Sequence, residues 1–308
     1  MTGEKKAWVV SLTPFDAQGR LDEAALRLHL RRLRDSGQSI YAGSTNIGEG
    51  FALEFDELEQ VLAIAVDELK GATAVRASGF ESRSIVEAIR SVRMADAARV
   101  DAVHVFQLDT GHGTSKPNPD ELERFYSQVI EQTSLPIVLS NYPSLGYSVP
   151  IDVLGRLLDR FPHIISIRDA GGDLSYFSEL VQRFAGRVEL YAVGIKNLVT
   201  TLLLGADGIF TTEANITPKL VSSVLYSFEA GNLEAMQEAF GRLVQVHRLL
   251  VRYGGSGGRG MKPLLNHFGL PGGSLRPPRL TIGDAERHAL VEAFTSLGIS
   301  ELQAELTK

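Results

Sequence analysis

Short apolar runs alternate with amphipathic stretches along most of this chain. Eight of the runs, at 7–12, 39–43, 72–77, 101–106, 136–140, 164–168, 188–193 and 207–211, are rich in β-branched and apolar residues and lack strict in–out alternation. Strands buried on both faces read this way, as in parallel sheets covered by helices. Helix signals lie between them. Glu54–Lys70 stops at Gly71, a residue suited to the left-handed position after a helix. Asn118-Pro119-Asp120-Glu121 reads as an N-cap, a proline at the first helical position and the glutamate of a capping box. Thr217-Pro218 repeats the cap-then-proline signal, and Asn232 opens a further helix. Eight strands, each followed by a helix, predict a closed (β/α)8 TIM barrel over residues 1–231. An open doubly wound sheet is the alternative, though it more often has fewer strands. Residues 232–308 hold no good strand and are predicted as a C-terminal α-helical appendage, interrupted by the glycine-rich link Gly254–Gly260. That link lacks the Lys-Ser/Thr ending of a phosphate loop and follows no strand, so it reads as a flexible connection.

Composition narrows the function classes. A length of 308 residues suits one barrel of roughly 250 residues plus the appendage. The formal net charge is −6 with no basic block, which argues against a nucleic-acid surface. The chain has no cysteine, which excludes thiol nucleophiles, cysteine metal sites and disulfides. The polar start, Met1 to Lys6, shows no signal peptide, and apolar runs such as Val61–Val66 fall far short of the roughly 20 residues that span a bilayer. A cytoplasmic protein without a membrane partner is expected.

Several segments resemble, in order and spacing, the dihydrodipicolinate synthase / N-acetylneuraminate lyase family of class I aldolase barrels. They are Ser11-Leu12-Thr13-Pro14-Phe15 at the first strand and turn, Gly48-Glu49 after the second strand, Lys116-Pro117, and Leu139-Ser140-Asn141-Tyr142-Pro143 at strand five. Further along come Ile165-Ser166-Ile167-Arg168-Asp169-Ala170-Gly171-Gly172-Asp173 at strand six, and Gly205-Ala206-Asp207-Gly208-Ile209 and Ala214-Asn215-Ile216-Thr217-Pro218 around strand eight. Met261-Lys262 and Gly272 to Pro278 complete the series near the C-terminus. The resemblance covers nearly the whole chain and implies a lyase on a barrel, assembled as a homotetramer from two dimers. It also implies a lysine on strand six that forms a Schiff base with a 2-oxo acid. Here that position is Arg168. A desolvated lysine amine can attack a carbonyl, whereas a guanidinium stays charged and delocalised. Other family positions change with it. The proton-relaying tyrosine of strand five aligns with Ser140, the paired threonines before Gly-Glu align with Asn46 and Ile47, and a small aliphatic contact on strand eight aligns with Phe210.

Barrel active sites lie at the C-terminal ends of the strands. The residues expected there are Thr13, Asn46, Glu49, Gln107, Asp109, His112, Ser140, Tyr142, Arg168, Lys196, Thr211 and Glu213. Arg168, Lys196, Tyr142 and Ser140 are the candidate catalytic residues, and Asn46, Glu49, Thr13, Phe210 and Glu213 the candidate substrate contacts. Arg168 reads as a two-pronged anchor for a carboxylate or phosphate, or else as a structural partner of Asp169, Asp173 or Glu213. Lys196, after strand seven, is a replacement amine if Arg168 lowers its pKa, or a solvated lysine opening the seventh helix. His104, Asp109 and His112 match no specific zinc spacing, so they read as core or surface residues rather than a metal site. Ser140 lacks the Gly-x-Ser-x-Gly elbow of a hydrolase. No metal or cofactor is assigned. The leading expectation is a divergent lyase acting on a small anionic oxo or hydroxy acid by acid–base chemistry and not a working dihydrodipicolinate synthase. The competing one is a non-catalytic relative that binds a metabolite or serves as an assembly partner.

Overall fold

A computed structural model describes residues 4–79, 81–111, 115–254, 258–299 and 302. His112 and the centre of the glycine-rich link lie outside the described residues. Eight parallel strands close into a barrel in chain order. They are β1 (Lys6–Val10), β2 (Ser39–Ala42), β3 (Val75–Ala77), β4 (Ala102–Phe106), β5 (Ile137–Asn141), β6 (Ile164–Asp169), β7 (Glu189–Val193) and β8 (Gly208–Thr211). The helices α1 (Glu23–Asp35), α2 (Phe55–Leu69), α3 (Ile85–Ala98), α4 (Pro119–Ile130), α5 (Ile151–Arg160), α6 (Leu174–Phe184), α7 (Leu198–Leu204) and α8 (Pro218–Glu229) follow the strands in turn. The chain continues as α9 (Leu233–Arg252), α10 (Gly258–His267) and α11 (Asp284–Ser296). The closed barrel excludes the open-sheet alternative. Among the described residues, no helix is long and apolar enough to cross a membrane.

Strand positions follow the apolar runs, and the ends differ for local reasons. β3 begins three residues later than the run at 72–77. Gly71 takes a positive φ of 78°, and the N–H groups of Ala72 and Thr73 both donate to Leu69 O at the end of α2, so these residues close a helix before they can join a sheet. β1 ends at Val10 because Leu12 N donates to the Asn215 side chain at 3.1 Å. Asn118 caps α4 with the full capping box, and Asn232 caps α9. Thr217 departs from expectation: proline does open α8, but the threonine side chain makes no cap hydrogen bond. Its hydroxyl faces Glu213 O at 3.4 Å instead.

The chain clusters into two compact units, Val75–Phe210 and Glu4–Ala74 with Thr211 onward. In the first, β3 to β8 run side by side, and Gly79 lets the chain after β3 press against β4. A Cβ there would stand 2.1 Å from His104 O. In the second, α8 packs on α9, α10 on α11 and α1 on α2. There α1 and α2 are tied by Arg27 and Arg31, which both reach Glu68.

Candidate functional site

Side chains two apart on a strand share a face. In the Val75–Phe210 unit this brings Arg76 of β3, His104 and Phe106 of β4, Arg168 of β6, Tyr191 of β7 and Phe210 of β8 into one column of rings and cations. Arg76 lies 5.4 Å over the Tyr191 ring and pairs with Glu189 at 2.7 Å. Tyr191 meets Phe210 edge-on at 5.5 Å, and Phe210 meets His104 edge-on at 5.2 Å. The Arg168 guanidinium stands 5.4 Å from the Phe210 ring and 5.5 Å from the Phe106 ring. Phe106 in turn meets Tyr142 edge-on at 5.9 Å. Barrel interiors are ordinarily layers of branched aliphatic residues, so this polar and aromatic filling is a departure that asks for a use.

Register fixes the neighbours of Arg168. Ser140 on β5 and Tyr191 on β7 are its partners across the two ladders. Arg168 is 6% exposed. Ser140 Oγ and His104 Nδ1 are 3.0 Å apart, one hydrogen bond whose direction depends on the imidazole tautomer. Burial, with repulsion from Arg168 and Arg76, holds the His104 pKa well below its ordinary value. The ring is therefore neutral at neutral pH, with one nitrogen able to take a proton. Ser140 thus has a base beside it, although the tyrosine implied by the resemblance is missing.

The chain just beyond β5 is held by two buried amides. Gln107 donates to Tyr142 O at 3.0 Å and Tyr147 O at 2.8 Å and accepts from Tyr142 N at 2.8 Å. Asn141 donates to Asp169 at 2.6 Å and accepts from Val149 N at 2.9 Å. Burial raises the Asp169 pKa against the hydrogen bonds from Asn141 and Gly171. Lys196 is exposed on a 3-10 turn, Ile195–Asn197. Asp109 bonds Gly111 N at 2.8 Å. Among the described residues, no group of three histidine, cysteine or acidic side chains is arranged to hold a metal.

The remaining candidates lie in the other unit. Glu49 is fully buried and sits at a positive φ of 52°. Its Oε1 meets Lys262 Nζ at 2.5 Å, and its Oε2 accepts from Arg276 N at 3.1 Å. Lys262 also donates to the backbone oxygens of Thr13 and Ser274, both at 2.7 Å. Burial pulls the Lys262 amine down to about 8, against the pull of Glu49 that keeps it charged. Glu213 is buried, with His247 Nδ1 at 2.7 Å and the Thr211 hydroxyl at 2.6 Å. Burial pushes its pKa up, but His247 and Thr211 outweigh that and leave it lowered. Asn46 is exposed. Sequence reasoning had assigned Lys262 to the appendage and had not singled out His247. The available signal was a lone lysine in the apolar run Met261–Leu265, since a charge buried there requires a partner.

Comparison with known proteins gives this geometry a context. The family described as the Dihydrodipicolinate synthetase family matches residues 5–297. A curated 4-hydroxy-tetrahydrodipicolinate synthase of Hyphomonas neptunium is 31% identical over 290 residues, covering 93% of this chain and 95% of the relative. A crystal structure of a dihydrodipicolinate synthase from Bacillus anthracis superposes with a TM-score of 0.86 at 26% identity, covering 96% of this chain and 99% of that one. CdNal from Clostridium difficile, solved in complex with mannosamine, superposes with a TM-score of 0.87 at 21% identity, over 96% of this chain and all of that one. That last likeness is one of fold.

Proposed function

Because the chain belongs to the dihydrodipicolinate synthetase family, we propose that it is a lyase-type protein for a small anionic oxo or hydroxy acid that works without an imine on β6. Arg168 takes the place of the amine and anchors the substrate carboxylate. The observation that carries this reading is the setting of Arg168, a fixed cation held between two rings and beside the His104–Ser140 pair. Ring contacts engage the faces of a guanidinium, whereas carboxylates bind its N–H edge, so the two do not compete. A low-dielectric interior strengthens any such charge-assisted bond. With a substrate carboxylate offsetting the repulsion from Arg168, His104 accepts the substrate's proton through Ser140, and this is the acid–base step assigned to the site. Tyr142 borders it through Phe106. The assembly proposed is a homotetramer.

The test is trapping with pyruvate and borohydride, read as the mass of the peptide carrying residue 168, alongside crystals soaked with 2-oxo acids. Residue 168 should remain unmodified, and a carboxylate should appear at its guanidinium. Turnover of pyruvate with aspartate semialdehyde at ordinary enzyme rates, roughly 1–1000 per second, would overturn the reading. The rings around Arg168 also favour a second reading, a non-catalytic relative in which Phe106 and Phe210 fill the space a substrate needs. Soaked crystals with no ligand at Arg168 would select that one.

A further inference from the structure

A cavity of about 470 Å³ opens between α10, α11 and the chain joining them, and none of the residues assigned to the lyase reading lines it. Its size falls within the range of small-molecule sites, roughly 300–1,000 Å³. Five of its lining side chains, Lys262, Arg279, Arg287, His267 and His288, are basic, and none of its lining residues is acidic; Lys262 is taken up by Glu49. In a chain with 37 Asp and Glu against 31 Lys and Arg and 7 His, such a one-sided lining is not set by composition. Pro263, Leu280, Ile282 and Val291 supply apolar wall.

Arg279 and Arg287 each meet one carboxylate outside the lining. Arg279 Nη1 stands 3.6 Å from Glu49 Oε2, beyond hydrogen-bond range, and among the described residues this buried nitrogen has no hydrogen-bond partner. Glu49 is already engaged by Lys262 and Arg276 N. Arg279 also lies 5.5 Å over the Phe51 ring, which orients its plane. Arg287 meets the exposed Asp284 at 3.0 Å. His288 Nδ1 donates to Asp284 O at 2.8 Å, so Nε2 is the nitrogen that meets a ligand, and it donates to an anion when the ring carries both protons. Two planar guanidinium forks and two imidazoles around a partly apolar hollow match a short carbon skeleton carrying two negative charges.

We propose that this cavity binds a small organic dianion, either a phosphate monoester or a dicarboxylate, through Arg279 and Arg287 with His267 and His288. The site does not depend on the reading given to Arg168. Calorimetric titration of the full chain with inorganic phosphate and, separately, with succinate tests it. One or both probes should bind, and the tighter one names the anionic group. Arg287→Gln and His288→Gln, both at exposed positions, should each weaken that binding by about tenfold or more, as expected for losing a charge-assisted hydrogen bond. Arg168→Met should leave it unchanged. Heat of binding absent for both probes up to ~10 mM, a Kd too weak to matter at cellular concentrations, would overturn the proposal. So would binding that Arg168→Met abolishes and Arg287→Gln leaves intact, and that second result would place the anion in the barrel instead.

Discussion

Arg168 sits on β6 with Ser140 and Tyr191 as ladder partners, and its consequences are testable one atom group at a time. Arg168→Lys restores an amine but removes the fork, and no tyrosine stands at position 140 to relay a proton. The variant should lose native ligand binding and gain little or no pyruvate aldolase activity. Efficient imine trapping in it would show that the pocket is still tuned for Schiff-base chemistry. The placement of Arg168 on β6 was legible from the strand-six motif alone. The His104–Ser140 hydrogen bond was not, because the two residues lie 36 apart and meet only through the register of β4 on β5. His29 is a residue whose protonation bears on the stability of the fold. It is fully buried on α1, with Nε2 2.9 Å from Asn215 Oδ1, and burial, followed by repulsion from Arg32, lowers its pKa from 6.5 to about 3. The unfolded chain therefore takes up a proton that the folded one refuses between those values. Stability from His29 is fully present above pH 6.5 and is lost as pH falls toward 3, with a slope of at most about 1.4 kcal/mol per pH unit. Urea midpoints measured from pH 7 to 4 should fall less steeply in His29→Gln, and an identical slope would remove His29 from the explanation.

Elements are joined by a few buried charges and caps, each with its own cost of removal. The Glu49–Lys262 pair ties the loop after β2 to α10, and Lys262 adds bonds to Thr13 and Ser274. Lys262→Met leaves the Glu49 carboxylate buried without its cation and should cost about 3–5 kcal/mol in urea unfolding. Adding Glu49→Leu should recover much of that loss, and a double variant no more stable than the single would show that packing rather than charge governs the joint. Asn118 bonds the N–H groups of Asp120 and Glu121 at 3.0 Å, so Asn118→Ala should cost about 1 kcal/mol. The strands and the Asn118 and Asn232 caps could be read from the sequence because apolar periodicity and cap chemistry are local. The shortened β3 and the uncapped Thr217 could not, since each depends on where a neighbouring carbonyl or side chain lies in space. Glu49 was read as a substrate contact from its motif, whereas its carboxylate is occupied by a lysine 213 residues away in the chain.

At the scale of the whole molecule, the family match over residues 5–297 and the closed barrel establish a frame, and a frame of this kind hosts many chemistries. The proposed function rests on the few side chains that fill the frame's interior, Arg168 with the rings of Phe106 and Phe210 and the His104–Ser140 pair. The assembly proposed from the family resemblance is a homotetramer, and light scattering at micromolar concentration should give four chains; a monomer would contradict it. The role of Arg168 is tested most directly by calorimetric titration of a 2-oxo acid that binds the wild-type protein, repeated on Arg168→Met. Loss of a charge-assisted anchor should weaken binding by about 1.5–3 kcal/mol, roughly 10- to 150-fold in Kd, with the thermal midpoint of the unliganded protein little changed. Equal affinity in the two proteins would contradict the assignment of Arg168 as the anion anchor.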